Sequence, residues 1–308
     1  MKYVSEEVSS QLASHELAYE AVRKALIAAA DTGTAIFPVV IGHGSDPNNV
    51  YAIKSSAVAE LSGLKVGSYW PGNDAQGIPR HNSIIFLFDQ SNGRIGAAVE
   101  AGRLNAFRTA AADAVAADVL ARKNASTLAI FGAGHQAEFE VHALTRIRKI
   151  KRVLVVARNL EKGAKFTAGL QAAGIQSEVC AAEEACRQAD MIVTATPSCE
   201  PLFDADWVQP GTHVASMGSD TTGKQELPPA LFENASLYCD LPDQSRMIGE
   251  FQHAPAPLSL TSIGDVLSGR APGRTDDDQI TIFDSSGLSV QDLYVAEAIL
   301  DIVSRSEN

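Results

Sequence analysis

The chain has 308 residues, of which 45% are hydrophobic and 20% are charged, and it carries a net charge of −12. This length and composition predict a globular protein of two domains with a sizeable core. The acidic balance argues against a nucleic acid partner, because such binding depends on clustered Lys and Arg that neutralise phosphates. No apolar run reaches the ~18 residues that span a bilayer, and the first residues lack the apolar segment of a signal peptide. We therefore expect a cytoplasmic protein with no membrane partner.

The cysteines lack the paired C-x-x-C spacing of zinc sites and of small disulfide frameworks. They are Cys180, Cys186, Cys199 and Cys239. We expect them to be buried free thiols, and we expect no metal site.

The first 120 residues predict an α+β domain. An opening helix is indicated by apolar residues at helical spacing: Ala18, Val22, Ala25, Leu26 and Ala29. Strand-like segments follow at residues 38–41, 50–53, 64–69 and 83–88, separated by Gly, Asn, Asp and Pro turns. An Ala-rich helix is predicted over residues 98–121.

From residue 126 onward, short apolar strands alternate with helical segments. The predicted strands are residues 126–131, 152–157, 191–195, 212–216, 236–240 and 280–284. This alternation predicts a parallel sheet with helices on both faces, so the fold class is α/β. A final apolar-faced helix is predicted over residues 288–303.

A glycine turn follows the strand at residues 126–131 and precedes a helical pattern. In Gly132-x-Gly134-x-x-Ala137, the first glycine permits a tight turn, the second lets the backbone approach a pyrophosphate, and the small alanine lets the helix pack close to the sheet. Glycine turns also occur for conformational reasons alone. The complete strand, helix, strand context favours a dinucleotide site, with the phosphates at the helix N-terminus.

Four segments in this order resemble the ornithine cyclodeaminase/mu-crystallin family: residues 63–73, 107–114, 132–137 and 217–227. The resemblance covers nearly the whole chain and includes residues 194–198 and 283–292. It implies a substrate-binding and dimerisation domain over residues 1–120 and an NAD(P)-binding Rossmann domain over residues 121–287. It also implies a C-terminal helix over residues 288–308 that returns toward the first domain, and a homodimer.

The same resemblance implies roles for individual residues. Arg108 and Lys65 are expected to bind the substrate carboxylate, and the planar guanidinium of Arg108 suits bidentate binding. Asp220 is expected to transfer the proton, whereas Lys224 and Glu226 more plausibly hold its loop. Cofactor contacts beside the glycine turn are expected from Thr109, His135, Gln136, Arg158, Asn159, Thr196 and Met217.

The second strand of the predicted Rossmann unit bears on the choice of cofactor. NAD sites of this fold usually carry Asp or Glu at that strand end to bind the ribose hydroxyls, whereas this chain has Ala157, Arg158 and Asn159. Arg158 could pair with a 2′-phosphate instead. NADP(H) is therefore favoured over NAD(H).

The chain departs from the ornithine-specific pattern of the family in two places. Ornithine cyclodeaminases carry an Arg in the early strand, where this chain has Val39 or Val40, and Lys54 occupies a position where an acid is expected. Arg80 and His81 add polar groups on a loop near the expected substrate. A cationic pocket of this kind suits an acidic or small substrate better than one with a second ammonium group.

Three functions remain open on this basis. The first is an NAD(P)-dependent imine reductase or amino acid dehydrogenase, which transfers a hydride at the α-carbon. The second is an ornithine cyclodeaminase, an NAD-requiring ammonia lyase that converts ornithine to proline. The third is a nucleotide-binding protein without catalysis, as in the crystallin members, since fold and family alone do not fix function.

Overall fold

The computed structural model describes residues 1–255 and 257–306. These residues form two compact units, one of Met1–Arg108 with the C-terminal segment from Leu288, and one of Thr109–Gly287. The sequence places the boundary near residue 120, whereas the structure divides the chain after Arg108, within a helix. The reason is that Phe107 packs on His15 of the first unit, with ring centroids 4.9 Å apart.

The strands and helices of both units are as follows. The strands are β1 (Lys2–Val4), β2 (Ala35–Ile36), β3 (Val40–His43), β4 (Val50–Ala57), β5 (Ser62–Tyr69), β6 (His81–Asp89), β7 (Arg94–Glu100), β8 (Thr127–Phe131), β9 (Arg152–Val156), β10 (Ser177–Val179), β11 (Met191–Thr194), β12 (His213–Ser216), β13 (Ala235–Cys239), β14 (Leu260–Ser262) and β15 (Ile280–Asp284). The α-helices are α1 (Glu6–Leu12), α2 (His15–Ala29), α3 (Gly102–Leu120), α4 (His135–Ile147), α5 (Leu160–Ala172), α6 (Ala182–Gln188), α7 (Pro242–Ile248), α8 (Ile263–Leu267) and α9 (Ser289–Ser306). Short 3₁₀ helices lie at Pro71–Gln76, Ala205–Trp207, Pro229–Asn234 and Glu250–His253.

The first unit is built on one mixed sheet. Its strand order is β1-β7-β6-β5-β4-β2, with β3 also paired to β4. Helices α2 and α9 pack together, and α9 lies against β4, β5 and β6. Along β5 the side chains alternate between buried Gly63, Lys65 and Gly67 and half-buried Leu64 and Val66. One face of the sheet is therefore covered by helices, and the other is more exposed.

The second unit contains an entirely parallel sheet of order β10-β9-β8-β11-β12-β15-β13-β14. From β8 the strands are added toward one edge of the sheet through β9 to β10, whereas β11 and β12 lie on the other side of β8. The strand order therefore reverses between β8 and β11. Ligands of such sheets bind in the crevice at the carboxyl ends of the strands that flank this point. The apolar core includes the buried aromatic residues Phe131, Phe232, Phe251 and Phe283. The predicted α/β class is confirmed.

Two local predictions are wrong. Residue Ala98, predicted to begin a helix, lies in β7, and α3 begins only at Gly102. Strand pairing of Ala98 with Phe86 and Tyr3 overrides the weak helical preference of an Ala-rich segment. Cys199, predicted to be buried, is exposed, and Cys180 is only half-buried.

Within residues 1–255 and 257–306, no helix is both long and apolar enough to cross a membrane.

Candidate functional site

The glycine turn after β8 has the backbone that its sequence predicts. Gly132 has φ +118°, and a Cβ added there would lie 2.8 Å from the carbonyl oxygen of Ala195. Its N–H donates to the carbonyl of Val156 at 2.9 Å. Both the positive φ and the close approach require glycine at this position.

The second glycine leaves the start of α4 open. Gly134 is the N-cap residue of α4 and provides no side-chain cap, and a Cβ added there would meet no atom within 4 Å. The first N–H groups of the helix are therefore available to an anion, at the positive end of its dipole. Ala137, the third position of the motif, is fully buried. This cradle fits the pyrophosphate of a dinucleotide.

Three further predicted cofactor residues lie on α3 and α4. His135 is exposed in the first turn of α4, and its ring lies 4.8 Å from that of Phe139. The side-chain amide of Gln136 donates to Glu140 at 2.7 Å. Thr109 is half-buried on α3, directly after Arg108.

The end of β9 carries a cation rather than an acid. Asn159 accepts a hydrogen bond from the Lys162 N–H at 2.9 Å and so caps α5. The preceding Arg158 is exposed, and its side chain makes no hydrogen bond or ion pair with the part of the chain that the structure describes. Arg158 is thus the residue at this strand end that remains available to a ligand.

Glu226 joins the loops at the carboxyl ends of β11 and β12. Its carboxylate accepts from the Thr196 N–H at 2.7 Å, the Thr194 and Thr196 hydroxyls at 2.8 Å, the Gly218 N–H at 2.8 Å and the Ser216 hydroxyl at 3.1 Å. Burial raises the pKa of Glu226, while the hydrogen bonds from Thr196 and Thr194 oppose that rise. Glu226 therefore fixes the loops that carry the predicted residues Thr196 and Met217.

Glu250 supports the same loops and was not found by sequence reasoning. It accepts from the Leu227 N–H at 2.8 Å and from the Glu226 N–H and the Ser216 hydroxyl at 3.1 Å. Burial raises the pKa of Glu250 to about 7, and the neighbouring Glu226 charge contributes to the rise. No motif marks this glutamate, because two of its three partners are backbone N–H groups.

Asp220 lies on the exposed loop after β12. Its carboxylate pairs with the Lys224 ammonium at 2.6 Å and accepts from the Thr221 hydroxyl at 3.3 Å. Lys224 also donates to the carbonyl of Gly218 at 3.2 Å. The carboxylate is therefore accessible to solvent and held by a loop that Glu226 anchors.

The first unit contains a buried cluster around Lys65 and Arg108. The Lys65 ammonium lies 2.8 Å from Asp292 Oδ2, 2.9 Å from Asp292 Oδ1 and 3.0 Å from Asn105 Oδ1. Arg108 donates to the same Asn105 oxygen at 2.8 Å and to Gln291 Oε1 at 3.4 Å, and it lies 3.3 Å from Asp292. We call these five residues the carboxylate-site cluster.

Burial dominates the electrostatics of this cluster. Lys65 is 5% exposed, Arg108 9% and Asp292 2%. Burial lowers the pKa of Lys65 to about 7, Asp292 raises it, and the charges of Arg108 and Lys54 lower it further. Lys65 and Arg108 are therefore buried charged side chains and not surface cations. The side-chain nitrogen of Gln291 is buried without a hydrogen-bond partner.

Of the other predicted substrate residues, Lys54 lies on β4, and His81, expected on a loop, begins β6, whereas Arg80 lies on the loop before it. Lys54 of β4 pairs in register with Lys65 of β5, so both side chains lie on the helix-covered face. His81 pairs in register with Tyr69, and their rings are 6.3 Å apart. Arg80 forms an exposed ion pair with Asp74.

Sequence reasoning did not assign roles to Asn105, Gln291 or Asp292. The available signal was the pair of polar residues Gln291 and Asp292 in a largely apolar helix, where both are almost fully buried.

Within the described ranges, no group of three or more His, Cys, Asp or Glu side chains is arranged to hold a metal ion.

The sequence model of the ornithine cyclodeaminase/mu-crystallin family matches residues 1–307. The chain belongs to this family. The resemblance carried by the four segments of the sequence is thereby confirmed.

Three relatives illustrate the activities found in the family. The iminosuccinate reductase of Paracoccus denitrificans is 38% identical over 98% of this chain and 96% of its own length. The alanine dehydrogenase of Archaeoglobus fulgidus is 36% identical over 78% and 76%, and the ornithine cyclodeaminase of Brucella abortus is 32% identical over 86% and 74%. These are the enzyme classes that the sequence predicts, and the prediction is confirmed at the level of class.

Two solved structures share the fold across the whole chain. An archaeal alanine dehydrogenase dimer with bound NAD has a TM-score of 0.92 at 31% identity and covers 100% of this chain and 97% of that one. The iminosuccinate reductase of Paracoccus denitrificans in complex with NAD⁺ has a TM-score of 0.92 at 36% identity, with the same coverage. The family fold therefore accommodates a nicotinamide dinucleotide.

Proposed function

We propose that this protein is an NAD(P)-dependent reductase or dehydrogenase that acts at the α-carbon of a 2-imino or 2-amino acid. The observation that carries the proposal is the carboxylate-site cluster. It holds two buried cations, Lys65 and Arg108, against the single carboxylate of Asp292. The buried amide nitrogen of Gln291 also lacks an acceptor. A substrate carboxylate supplies both the missing negative charge and the acceptor oxygens.

Each residue has its own role in the proposed reaction. Arg108 and Lys65 bind and orient the substrate carboxylate, and Asn105 holds both cations through one oxygen. Asp220 exchanges a proton with the substrate nitrogen. When bound, the nicotinamide ring supplies or accepts the hydride that interconverts the carbon–nitrogen double bond and the amine.

The dinucleotide is proposed to bind at the Gly132–Gly134 turn and the start of α4, with the 2′-phosphate form preferred. Arg158 supports this preference, because it is exposed at the strand end where NAD sites usually carry an acid. Both solved relatives described above contain NAD and not NADP. The preference of this protein is therefore to be measured directly, by comparing kcat/KM for NADPH with kcat/KM for NADH. Equal values for the two cofactors would contradict it.

Ornithine cyclodeamination is the second candidate, because the Brucella abortus relative has that activity in its name. The two functions differ in net cofactor turnover: a reductase consumes one reduced cofactor per product, whereas a cyclodeaminase returns the hydride within one cycle. Lys54 argues against ornithine, since a cation beside the cluster repels a second substrate ammonium.

The direct test is a screen for net oxidation of NADPH and NADH. The imines to be tested are those formed by 2-oxo acids with ammonia or methylamine, and preformed cyclic imines. We expect stoichiometric cofactor oxidation with at least one 2-imino acid. Ammonia and proline released from ornithine without net cofactor turnover would favour the cyclodeaminase.

Asp220→Asn tests the proton-transfer role in the same assay. We expect kcat to fall by roughly 10²–10⁴-fold, because a positioned general acid or base contributes about that much. Cofactor binding, measured by fluorescence titration, should remain unchanged. Asp204→Asn, on an exposed turn of the same unit, is the matched control. An unchanged kcat in Asp220→Asn would remove Asp220 from the mechanism.

We also propose that the protein forms a homodimer through the exposed face of the first unit's sheet. A row of aliphatic residues crosses four strands there: Val40, Ile53, Val66 and Ile84 pair successively in register. Val40 is 57% exposed, and the other three are only half-buried. We call this set the outer row. A continuous apolar row on an exposed sheet face is typical of an interface.

A further inference from the structure

Ser216, the last residue of β12, lies between two glutamates and cannot donate a hydrogen bond to both. Its hydroxyl oxygen is 3.1 Å from Oε2 of Glu226 and 3.1 Å from Oε2 of Glu250. All three side chains are fully buried. A serine hydroxyl carries one proton, whereas an ionised carboxylate can only accept. Both contacts are therefore hydrogen bonds only if one of the glutamates is protonated and donates to Ser216.

The hydrogen bonds identify Glu250 as the protonated glutamate. Besides Ser216, four groups donate to Glu226: the hydroxyls of Thr194 and Thr196 and the N–H groups of Thr196 and Gly218. They fill the roughly four lone-pair sites of an ionised carboxylate. Burial favours the protonated form of Glu250, since it raises the pKa of Glu250 to about 7. The proton therefore lies on Oε2 of Glu250, and the negative charge lies on Glu226.

Two acidic side chains act on Glu250. Glu226 does so from the loop after β12, and Asp284 from the end of β15, where burial and the charge of Asp240 raise the pKa of Asp284 well above its usual range. The other titratable side chains of α7, of the same 3₁₀ helix and of the loop have their own surroundings: Asp243 and Arg246 are exposed, His253 contacts the carbonyl of Lys224 at 2.8 Å, and Lys224 pairs with Asp220 at 2.6 Å. Ionised Glu250 would therefore face the charge of Glu226.

The hydrogen bonds of Glu226 extend toward the glycine turn. A Cβ added at Gly218 would lie 2.1 Å from the carbonyl oxygen of Thr196, and one added at Gly132 would lie 2.8 Å from that of Ala195. The loops after β11 and β12 thus pack closely together, and the first of them packs on the turn. A second charge at Glu250 would repel Glu226 and leave one contact of Ser216 without a proton. Both effects loosen the loops that Glu226 holds.

We propose that Glu250 is a positioning residue whose proton holds the loops after β11 and β12 against the glycine turn, so that loss of this proton above neutral pH weakens dinucleotide binding. The effect on the dinucleotide rests on the proposed function, whereas the assignment of the proton does not. Glu250 acts through Ser216 and Glu226 and does not itself touch the cofactor. The proton that Glu250 loses as pH rises passes to solvent.

Cofactor affinity at two pH values tests the proposal. Dissociation constants of NADPH and NADH are measured by fluorescence titration at about pH 6 and about pH 8.5, on either side of the Glu250 pKa. We expect the unmodified protein to bind about 10-fold more weakly at the higher pH, within the range typical of coupled binding equilibria. Binding does not involve Lys65 of the carboxylate-site cluster. Equal affinity at both pH values would overturn the proposal.

Glu250→Gln and Glu250→Leu assign the pH dependence to this side chain. The amide of Glu250→Gln donates to Ser216 and accepts from the Leu227 N–H at every pH, so its affinity should be pH-independent and match that of the unmodified protein at about pH 6. Glu250→Leu should bind weakly at both pH values. Glu233→Gln, on the exposed part of another 3₁₀ helix of the same unit, is the control and should lose affinity as the unmodified protein does. The same loss in Glu250→Gln would overturn the role of Glu250.

Infrared difference spectra separate failure of this inference from failure of the proposed function. The spectrum of the unmodified protein minus that of Glu250→Gln should contain the carbonyl band of a protonated carboxyl group at about pH 6, and this band should disappear as pH rises through about 7. Its absence at about pH 6 would overturn the assigned proton. If neither cofactor binds, the proposed function fails, and the spectra still decide on the proton.

Discussion

Lys65 is a lysine whose charge depends on one carboxylate. Burial, Arg108 and Lys54 all favour its neutral form, whereas Asp292 favours the ammonium form, both by charge and by hydrogen bonding. The neutral amine cannot attract a substrate carboxylate by charge. We therefore infer that Asp292 acts through Lys65, as a positioning residue that keeps it charged near neutral pH.

Asp292→Asn should move the pH dependence of kcat/KM. The Lys65 pKa is depressed in the folded protein, so the ammonium form is present below about pH 7 and is lost as pH rises through that value. Since kcat/KM reports ionisations of the free enzyme, it should fall above about pH 7 in the unmodified protein. Without the Asp292 charge, the fall should move to lower pH by about one to three pH units.

The control for this prediction is Asp301→Asn, at an exposed position on the same helix. It should leave the pH profile in place. A purely structural role for Asp292 would lower kcat/KM by a similar factor at every pH, and that result would contradict the assignment.

At the level of single residues, the sequence predicts the two cations of this cluster but not the carboxylate that contacts both. Lys65 and Arg108 lie in segments that resemble the family, whereas Asp292 is 227 positions from Lys65 in the chain. Their contact depends on how α9 packs against β5, which no local pattern encodes. Gly132 was predictable because its requirement is local: a turn with positive φ against a neighbouring carbonyl.

At the level of elements, the short apolar strands of the parallel sheet are predictable, because strands buried on both faces have continuous apolar runs. Strand β7 was not predictable, because Ala98 and its neighbours suit a helix as well as a strand. Only pairing with β6 and β1 decides between the two. The apolar outer face that β4, β5 and β6 share could not be predicted either, because which residues share a face depends on the cross-strand register.

Substitution within the outer row tests whether this face of the sheet forms the dimer interface. Val66→Glu places a charge at the middle of the row and should convert a dimer to a monomer, as measured by light scattering after size exclusion. Val8→Glu, at an exposed position on α1, should leave the dimer intact. Far-UV circular dichroism checks that both variants are folded. A monomeric unmodified protein, or a Val66→Glu dimer, would contradict the proposed interface.

At the level of the whole molecule, each of the two units supplies a different part of the proposed chemistry. The first unit supplies a cationic cluster that lacks an anion, and the second supplies a glycine turn and an uncapped helix start that fit a pyrophosphate. Binding of a carboxylate and of a dinucleotide together is what hydride transfer to a 2-imino acid requires. Neither feature alone distinguishes a reductase from a nucleotide-binding protein without catalysis.

Isotope transfer tests this central claim most directly. The protein is supplied with NADPH or NADH deuterated at the transferable C4 position, and with ammonia and a 2-oxo acid that the screen identifies as a substrate. The amino acid product is then analysed by mass spectrometry and NMR. We expect one deuterium per product molecule, located at the α-carbon. An amino acid without deuterium at that carbon, or labelled cofactor that remains unconsumed with every imine, would contradict it.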